Sequence, residues 1–433
     1  MADYLTSNPH GCASGIAERG APAESRARAG PPAAVSPAWG AVIRGCIMLV
    51  LGPYMHAAYR IRGWGRLPFR RGPTLVVSNH LHDLDIVTLA LRLSLRGPWR
   101  HPVFIAARRR HFEPGFMATR APRLERWLRR SDWSSFFRLL GMLPIESDLR
   151  TRPIASWAWS VSSTHGDLRI AEVFEDAARQ VLGIDRTDAL LSDVFASPLF
   201  RRAQARIGLE ALREPYRTEV WRHTRRQIEE DLALLQDVVR SGGTLLITPE
   251  GACSPDGRLQ RLRAALWRLL PLGRVYLAPI SYDPFVGRRL SILYRVLPAP
   301  EGTDVATALS AARPVTTSQV VARWVSGMDP GEAFSAVDLA QAASAQVASL
   351  RGHAFVDPLL CRHPSRMTAA ALAGLVRIGV LRPERGRYVL RGRRAHPKFP
   401  WVTDIIAHQA NLIAETCDAL TAVTPGVAAG GRS

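Results

Sequence analysis

The feature that most constrains the fold is a change of period near residue 78. Thr74-Leu75-Val76-Val77-Ser78 is a short β-rich run behind Gly72-Pro73, and past it apolar residues recur at Ile86, Leu89, Ala90 and Leu93. A continuous apolar run of that length reads as a buried strand, and spacings of three and four as an amphipathic helix. The alternation then repeats. Residues 102–107 form a second strand candidate, and 136–145 read as a helix end, a turn at Gly141 and a third strand. Residues 218–239 carry Ile228, Leu232, Leu235 and Val238 at helical spacing, end at Gly242-Gly243, and lead into Thr244-Leu245-Leu246-Ile247. Further strands are predicted at 274–280 and 290–294. Strands alternating with helices predict an α/β fold, in which loops at strand ends are the usual seat of chemistry.

Length and composition set the remaining bounds. A chain of 433 residues that is 47% hydrophobic and 22% charged can bury a large core without disulfide or metal support. Cys12, Cys46, Cys253, Cys361 and Cys417 are scattered and odd in number, which argues against a disulfide framework or zinc site and fits a reducing compartment. The net charge is +20, carried almost wholly by arginine, with Lys398 the only lysine. Such a surface attracts anionic headgroups, phosphorylated substrates or nucleic acid, and charge alone does not choose among them.

Residues 1–35 are rich in Ala, Gly, Pro and Ser and read as a disordered leader. The stretch 39–59 is the most apolar near the N-terminus, but Arg44 and Gly52-Pro53 interrupt it. Spanning a bilayer takes about 20 apolar residues, so 36–60 is expected to be an interfacial or half-inserted membrane-associating helix, with a buried core helix as the alternative. The main domain is placed at 61–325, with a mainly helical insertion at 151–215 containing Trp157 and Trp159. A helical C-terminal region follows at 330–433, in which 368–378 leads into a small hairpin resembling a winged-helix element.

Within Asn79-His80-Leu81-His82-Asp83-Leu84-Asp85, His80 and Asp85 can form a catalytic pair across a tight turn. An acceptor hydroxyl needs a base as it attacks, and imidazole suits that role when a carboxylate holds its other ring nitrogen. Asn-His-x-x-x-x-Asp behind an apolar strand resembles the first motif of the glycerolipid acyltransferase superfamily, whose best-known members act on lysophosphatidic acid. The lead-in Tyr59-Arg60-Ile61-Arg62-Gly63 is similar as well. Downstream, Ile247-Thr248-Pro249-Glu250-Gly251 resembles that family's Phe-Pro-Glu-Gly-Thr block, with Thr248 and Ala252 in place of Phe and Thr. Ser254-Pro255-Asp256-Gly257-Arg258 matches its turn, and Leu262-Arg263 stands at a common Phe-Lys pair. Leu277-Ala278-Pro279-Ile280 looks like its fourth motif, and Gly141-Met142-Leu143-Pro144-Ile145-Glu146-Ser147 like its second. The expected phosphate-binding arginine falls on Ser147, with Arg150 or Arg152 as substitutes, which leaves the acceptor open.

The resemblance implies a glycerolipid-acyltransferase-like mixed sheet flanked by helices over about residues 55–325. It also implies direct O-acyl transfer from acyl-CoA or acyl-carrier protein to a (lyso)phospholipid or glycerol-phosphate-like acceptor. His80 would be general base and Asp85 its orienter, with Asn79, Gly141, Glu250, Gly251, Arg258 and Pro279 in substrate binding. Glu250 would act by organising an arginine or a backbone turn, since a carboxylate does not bind phosphate. No cofactor or metal is expected. The implied partners are the acyl donor, the lipid acceptor and an anionic membrane surface, at the cytoplasmic face of the cell membrane.

Other readings compete. His82 and Asp83 approach a metal-hydrolase pattern but miss its register, Glu301-Gly302-Thr303 copies the family tripeptide without a preceding strand, and Arg108-Arg109-Arg110 is either a solvated face or a headgroup contact. A catalytically inactive relative that binds a lipid or a partner is the main functional alternative. A nucleic-acid binder rests on charge and the hairpin pattern alone and is not expected.

Overall fold

A computed structural model describes residues 37–65, 72–96, 103–146, 150–196, 198–392 and 394–423. The expected leader at 1–35 and the position of Ser147 lie outside the described residues. The strands, in chain order, are β1 (Arg60–Trp64), β2 (Thr74–Val77), β3 (Val103–Arg108), β4 (Met142–Ile145), β5 (Thr151–Pro153), β6 (Arg206–Gly208) and β7 (Thr244–Ile247). They continue as β8 (Arg274–Leu277), β9 (Ile280–Asp283), β10 (Ser291–Arg295), β11 (Leu297–Pro298), β12 (Ala333–Phe334), β13 (Leu381–Glu384) and β14 (Arg387–Leu390).

Mixed α/β architecture is what the alternating periods build. The largest sheet has the order β11-β8-β2-β7-β3-β4 and is parallel except where β11 pairs antiparallel with β8. At its centre β2 is buried along its whole length, as expected of a parallel strand covered on both faces. Helices Leu84–Arg96 and Tyr216–Arg240 pack on the sheet, the second through Leu232, Leu235 and Val239.

β2 lies between β7 and β8, with Val77 opposite both Ile247 and Leu277. Segments leaving the carboxyl ends of three adjacent strands therefore emerge side by side, although they lie far apart along the chain. Pro279 then diverts the chain. Lacking an N–H, a proline cannot continue a ladder, and after it the chain enters a second sheet, β1-β10-β9, as β9.

The insertion has a closed neck and its own core. β5 and β6 pair antiparallel at its base, and Ile154, Trp157, Val161, Phe174, Leu191 and Phe200 pack within it. Trp157 is fully buried there, whereas Trp159 is 40% exposed.

The C-terminal region shares the main core. One cluster runs from Val76, Leu81 and Leu89 through Tyr282 and Phe285 to Phe334, Leu372, Phe399 and Ile405. Helix Pro364–Arg377 and the hairpin β13–β14, with β12 alongside, bear the predicted helix–hairpin pattern. The guanidinium of Arg62 on β1 pairs with both oxygens of the buried Asp357 at 2.5 and 2.7 Å, tying that region to the N-terminal strand.

The apolar stretch near the N-terminus is a helix, Pro37–Ala58, that keeps Pro53 inside it. Gly52 and Met55 are buried, while Leu49, Val50 and Tyr54 are 73%, 75% and 60% exposed. Among the described residues no helix is long and apolar enough to cross a membrane.

Candidate active site

The turn after β2 is built around one carboxylate. Asp85 stands in the first turn of helix Leu84–Arg96, is fully buried, and directs Oδ2 back into the preceding turn. That oxygen accepts from the backbone N–H of Leu81 at 2.6 Å, from the N–H of His82 at 2.8 Å and from His80 Nδ1 at 3.1 Å. Oδ1 accepts from the hydroxyl of Tyr282 on β9. Every contact of the Asp85 carboxylate is thus an acceptor contact, which puts the His80 proton on Nδ1 and leaves Nε2 as the second ring nitrogen.

Two backbone clamps fix His80 against the loop after β7. Its N–H donates to Glu250 Oε1 at 2.5 Å, and its carbonyl accepts from the Ser254 N–H at 2.9 Å. The other oxygen of Glu250 accepts from the Gln260 N–H at 2.8 Å. Glu250 therefore organises backbone, and of two loops at once. Burial lifts its carboxyl to about 7, against the pull of those donors.

Burial also opposes charge on His80, but Asp85, through its hydrogen bond and charge, outweighs that, Cys253 adds to the effect, and the imidazole rises to about 10. Asp85 thus holds the proton on His80 as well as orienting the ring. His82 behaves in the opposite way: burial lowers its pKa. Its Nε2 lies 2.9 Å from the Lys398 carbonyl and its Nδ1 accepts from the Leu84 N–H at 3.1 Å, so both ring nitrogens are engaged in neutral contacts. Tyr282, Phe399 and Trp401 surround it.

His80 opens onto a cavity of about 560 Å3 formed where the strand ends converge. Its walls are mostly apolar, with Ile86, Ala106, Ile145, Ile228, Ile247 and Trp401 among them, and Arg108, Arg263 and His111 are its basic groups. Gly251, Ala252 and Cys253 complete the side next to His80. Among the described residues no three of His, Cys, Asp and Glu are grouped so as to hold a metal ion.

The residues singled out from the sequence fall into two sets. His80 and Gly251 line the cavity, with Asp85 and Glu250 directly behind His80. Asn79, Gly141, Arg258 and Pro279 are not on its walls. Asn79 is buried and its amide braces β9, donating to the Ile280 carbonyl at 3.0 Å and accepting from the Ile280 N–H at 2.8 Å. Gly141 takes φ +80 at the turn into β4, where its ideal Cβ would lie 3.1 Å from the Val103 carbonyl. Arg258 is exposed, and its N–H donates to Asp256 Oδ1 at 3.0 Å. Pro279 is the buried point where the chain changes sheets. Arg152 pairs with Glu146 and stacks on Trp157, and Glu301 lies in an exposed turn.

Two further residues belong to the site. Tyr282 stands two residues past Ile280, on the alternation that begins at Pro279. Cys253 lies two residues past Gly251, with Sγ 3.6 Å from His80 Nε2. Neither lies inside a block recognised in the sequence: Cys253 falls in the gap between Gly251 and Ser254 and Tyr282 beyond Ile280, so adjacency to those blocks was the only signal. Comparison with protein-family models and with curated proteins finds no match to this chain.

Proposed function

We propose that the chain is an O-acyltransferase that moves a fatty acyl group from a thioester donor to the hydroxyl of a lipid acceptor. The observation that carries this reading is the His80–Asp85 pair, clamped by Glu250 and opening onto a mostly apolar cavity. Such a pair supplies an oriented base for a hydroxyl, and an apolar cavity with few polar groups suits an acyl chain. Arg108 and Arg263 provide positive charge for a donor or acceptor phosphate. In this reading the sheet, its flanking helices and the blocks around His80, Glu250 and Pro279 form a glycerolipid-acyltransferase-like domain over 61–325.

The donor is acyl-CoA or an acyl-carrier protein, and the acceptor a (lyso)phospholipid or glycerol-phosphate-like alcohol. Contact with the membrane comes through Leu49, Val50 and Tyr54 of helix Pro37–Ala58, on the cytoplasmic face. The test uses purified protein with labelled palmitoyl-CoA, and in parallel palmitoyl-carrier protein, over a pool of extracted lipids. A labelled lipid is expected, lost on His80→Ala. Equal product from His80→Ala would refute the role of His80, and no product from either donor would refute the activity.

A further inference from the structure

We propose that a second cavity, on the C-terminal side of the catalytic turn, binds the phosphate of an anionic phospholipid headgroup. The inference deepens the membrane contact of the proposed function and rests on that contact, not on the acyl-transfer chemistry.

The cavity holds about 640 Å3 and is assembled from three separate stretches of chain. Arg288 comes from the turn between β9 and β10, and Arg377 from the end of helix Pro364–Arg377. Arg394, His396 and Lys398 come from the segment ahead of helix Ile405–Val423. The remaining lining is apolar or glycine, and no carboxylate is part of it. Buried arginines elsewhere are paired, Arg152 with Glu146 and Arg313 with Glu415. Here, among the described residues, none of the three arginines pairs with a carboxylate, and neither does Lys398.

Few of these donors are spent on the protein. Arg377 gives one hydrogen bond to the Gly287 carbonyl at 2.8 Å, and Lys398 gives one to the Arg288 carbonyl at 2.8 Å. A guanidinium carries five N–H donors and an ammonium three, so most remain for a ligand. His396 adds a donor without adding charge. It is buried, its Nδ1 accepts from the Lys398 N–H at 3.1 Å, and the ring hydrogen therefore sits on Nε2. Burial, then Lys398 and Arg377, push that imidazole down to about 4, and burial and Arg377 push Lys398 down too. Cations that disfavour one another in this way are stabilised together by a bound anion. Phosphate oxygens match the arginine fork.

Position selects a lipid as the source of that phosphate. Arg289, next to Arg288, donates to the carbonyls of His56 and Ala57 at 3.4 and 3.2 Å, at the end of helix Pro37–Ala58. That helix carries the exposed Leu49, Val50 and Tyr54. The cavity thus lies beside the end of the helix that contacts the membrane, within reach of headgroups. The same segment also touches the catalytic turn. The Lys398 carbonyl lies 2.9 Å from His82 Nε2, and Trp401 lines the cavity at His80. A headgroup held by the Lys398 side chain is therefore one residue removed from the contacts of His82.

The experiment titrates full-length protein by calorimetry with monomeric dihexanoyl phosphatidylglycerol, and separately with inorganic phosphate. Saturable binding of the lipid is expected, at least about tenfold weaker for Arg288→Gln with Arg377→Gln and Arg394→Gln. All three side chains are exposed, and a melting curve checks the fold. If that variant melts early, Arg394→Gln alone should still weaken binding by about threefold or more. Removing three exposed arginines elsewhere, Arg222→Gln with Arg226→Gln and Arg366→Gln, should leave binding unchanged, which separates a site from net charge. The His82 ring signals in nitrogen-15 NMR should shift as lipid is added; unmoved signals overturn the link to the catalytic turn. A flat titration, or equal loss in both triple variants, overturns the site. Inorganic phosphate binding as tightly as the lipid overturns the headgroup as its source. If the titration succeeds while Leu49→Ser with Val50→Ser leaves vesicle binding unchanged, the helix contact falls and the site stands. If the helix variant releases the protein and the titration is flat, the site falls and the helix contact stands.

Discussion

Replacing Asp85 by asparagine should move the pH dependence of this site more than it disturbs its shape. Oδ2 of Asp85 accepts three hydrogen bonds and Oδ1 accepts one from Tyr282. An asparagine can keep its carbonyl toward the three donors and turn its amide to the Tyr282 oxygen, whose hydroxyl can rotate to accept. The substitution therefore removes charge and little else. In the native protein His80 stands at about 10 instead of 6.5, a preference for imidazolium worth about 5 kcal/mol at about 1.36 kcal/mol per pKa unit. Only neutral imidazole accepts a proton, so about one site in a thousand is competent at pH 7, and the rate should climb with pH toward a plateau near 10. For Asp85→Asn the inflection should fall back toward 6.5, with a lower plateau because the imidazolium formed during transfer loses its counter-charge.

Stability carries the same linkage. The raised pKa stabilises the fold fully below pH 6.5, and that contribution is lost as pH rises through about 10. The stability advantage of wild type over Asp85→Asn should therefore shrink across that window. Two measurements check the reasoning: a rate–pH profile with labelled palmitoyl-CoA, and titration of His80 by nitrogen-15 NMR, which needs no substrate. Coincident His80 titration curves for wild type and Asp85→Asn would refute it.

Other outcomes follow from the packing. Glu250→Ala unties the backbone N–H groups of His80 and Gln260. At roughly 1.5–3 kcal/mol per charged hydrogen bond, less the relief of burying a carboxylate, it should lower stability by about 2–4 kcal/mol in denaturant melts; an unchanged midpoint would remove Glu250 as the clamp. Gly374→Ala sets a gain of about 1 kcal/mol in helix propensity against a Cβ 1.8 Å from the Phe285 carbonyl. The clash should win by about 1–3 kcal/mol, and a melting temperature at or above wild type would show that the C-terminal region is not docked as described. Leu49→Ser with Val50→Ser should cut co-sedimentation with vesicles containing anionic lipid while leaving the melting temperature within about 1–2 °C, since both side chains are exposed; unchanged co-sedimentation would exclude this helix face as the membrane contact.

The sequence by itself determined what period and local polarity can encode. The apolar run 74–77 and the three-and-four spacing behind it specified a buried strand and a helix, and a polar turn rich in His and Asp between them marked the candidate site. Gly242-Gly243 and Pro279 marked where elements end. Cys253, Tyr282 and Lys398 acquire their relation to His80 and His82 only through tertiary structure. Placing β2 between β7 and β8 joins a thiol 173 residues away and a phenol 197 residues from Asp85 into one cluster. Strand pairing of that kind rests on many weak contacts between distant segments, and no local window contains them. The C-terminal region follows the same rule: its helix and hairpin were legible as pattern, but the segment around Lys398 meets the His82 carrying turn only once the shared core has formed.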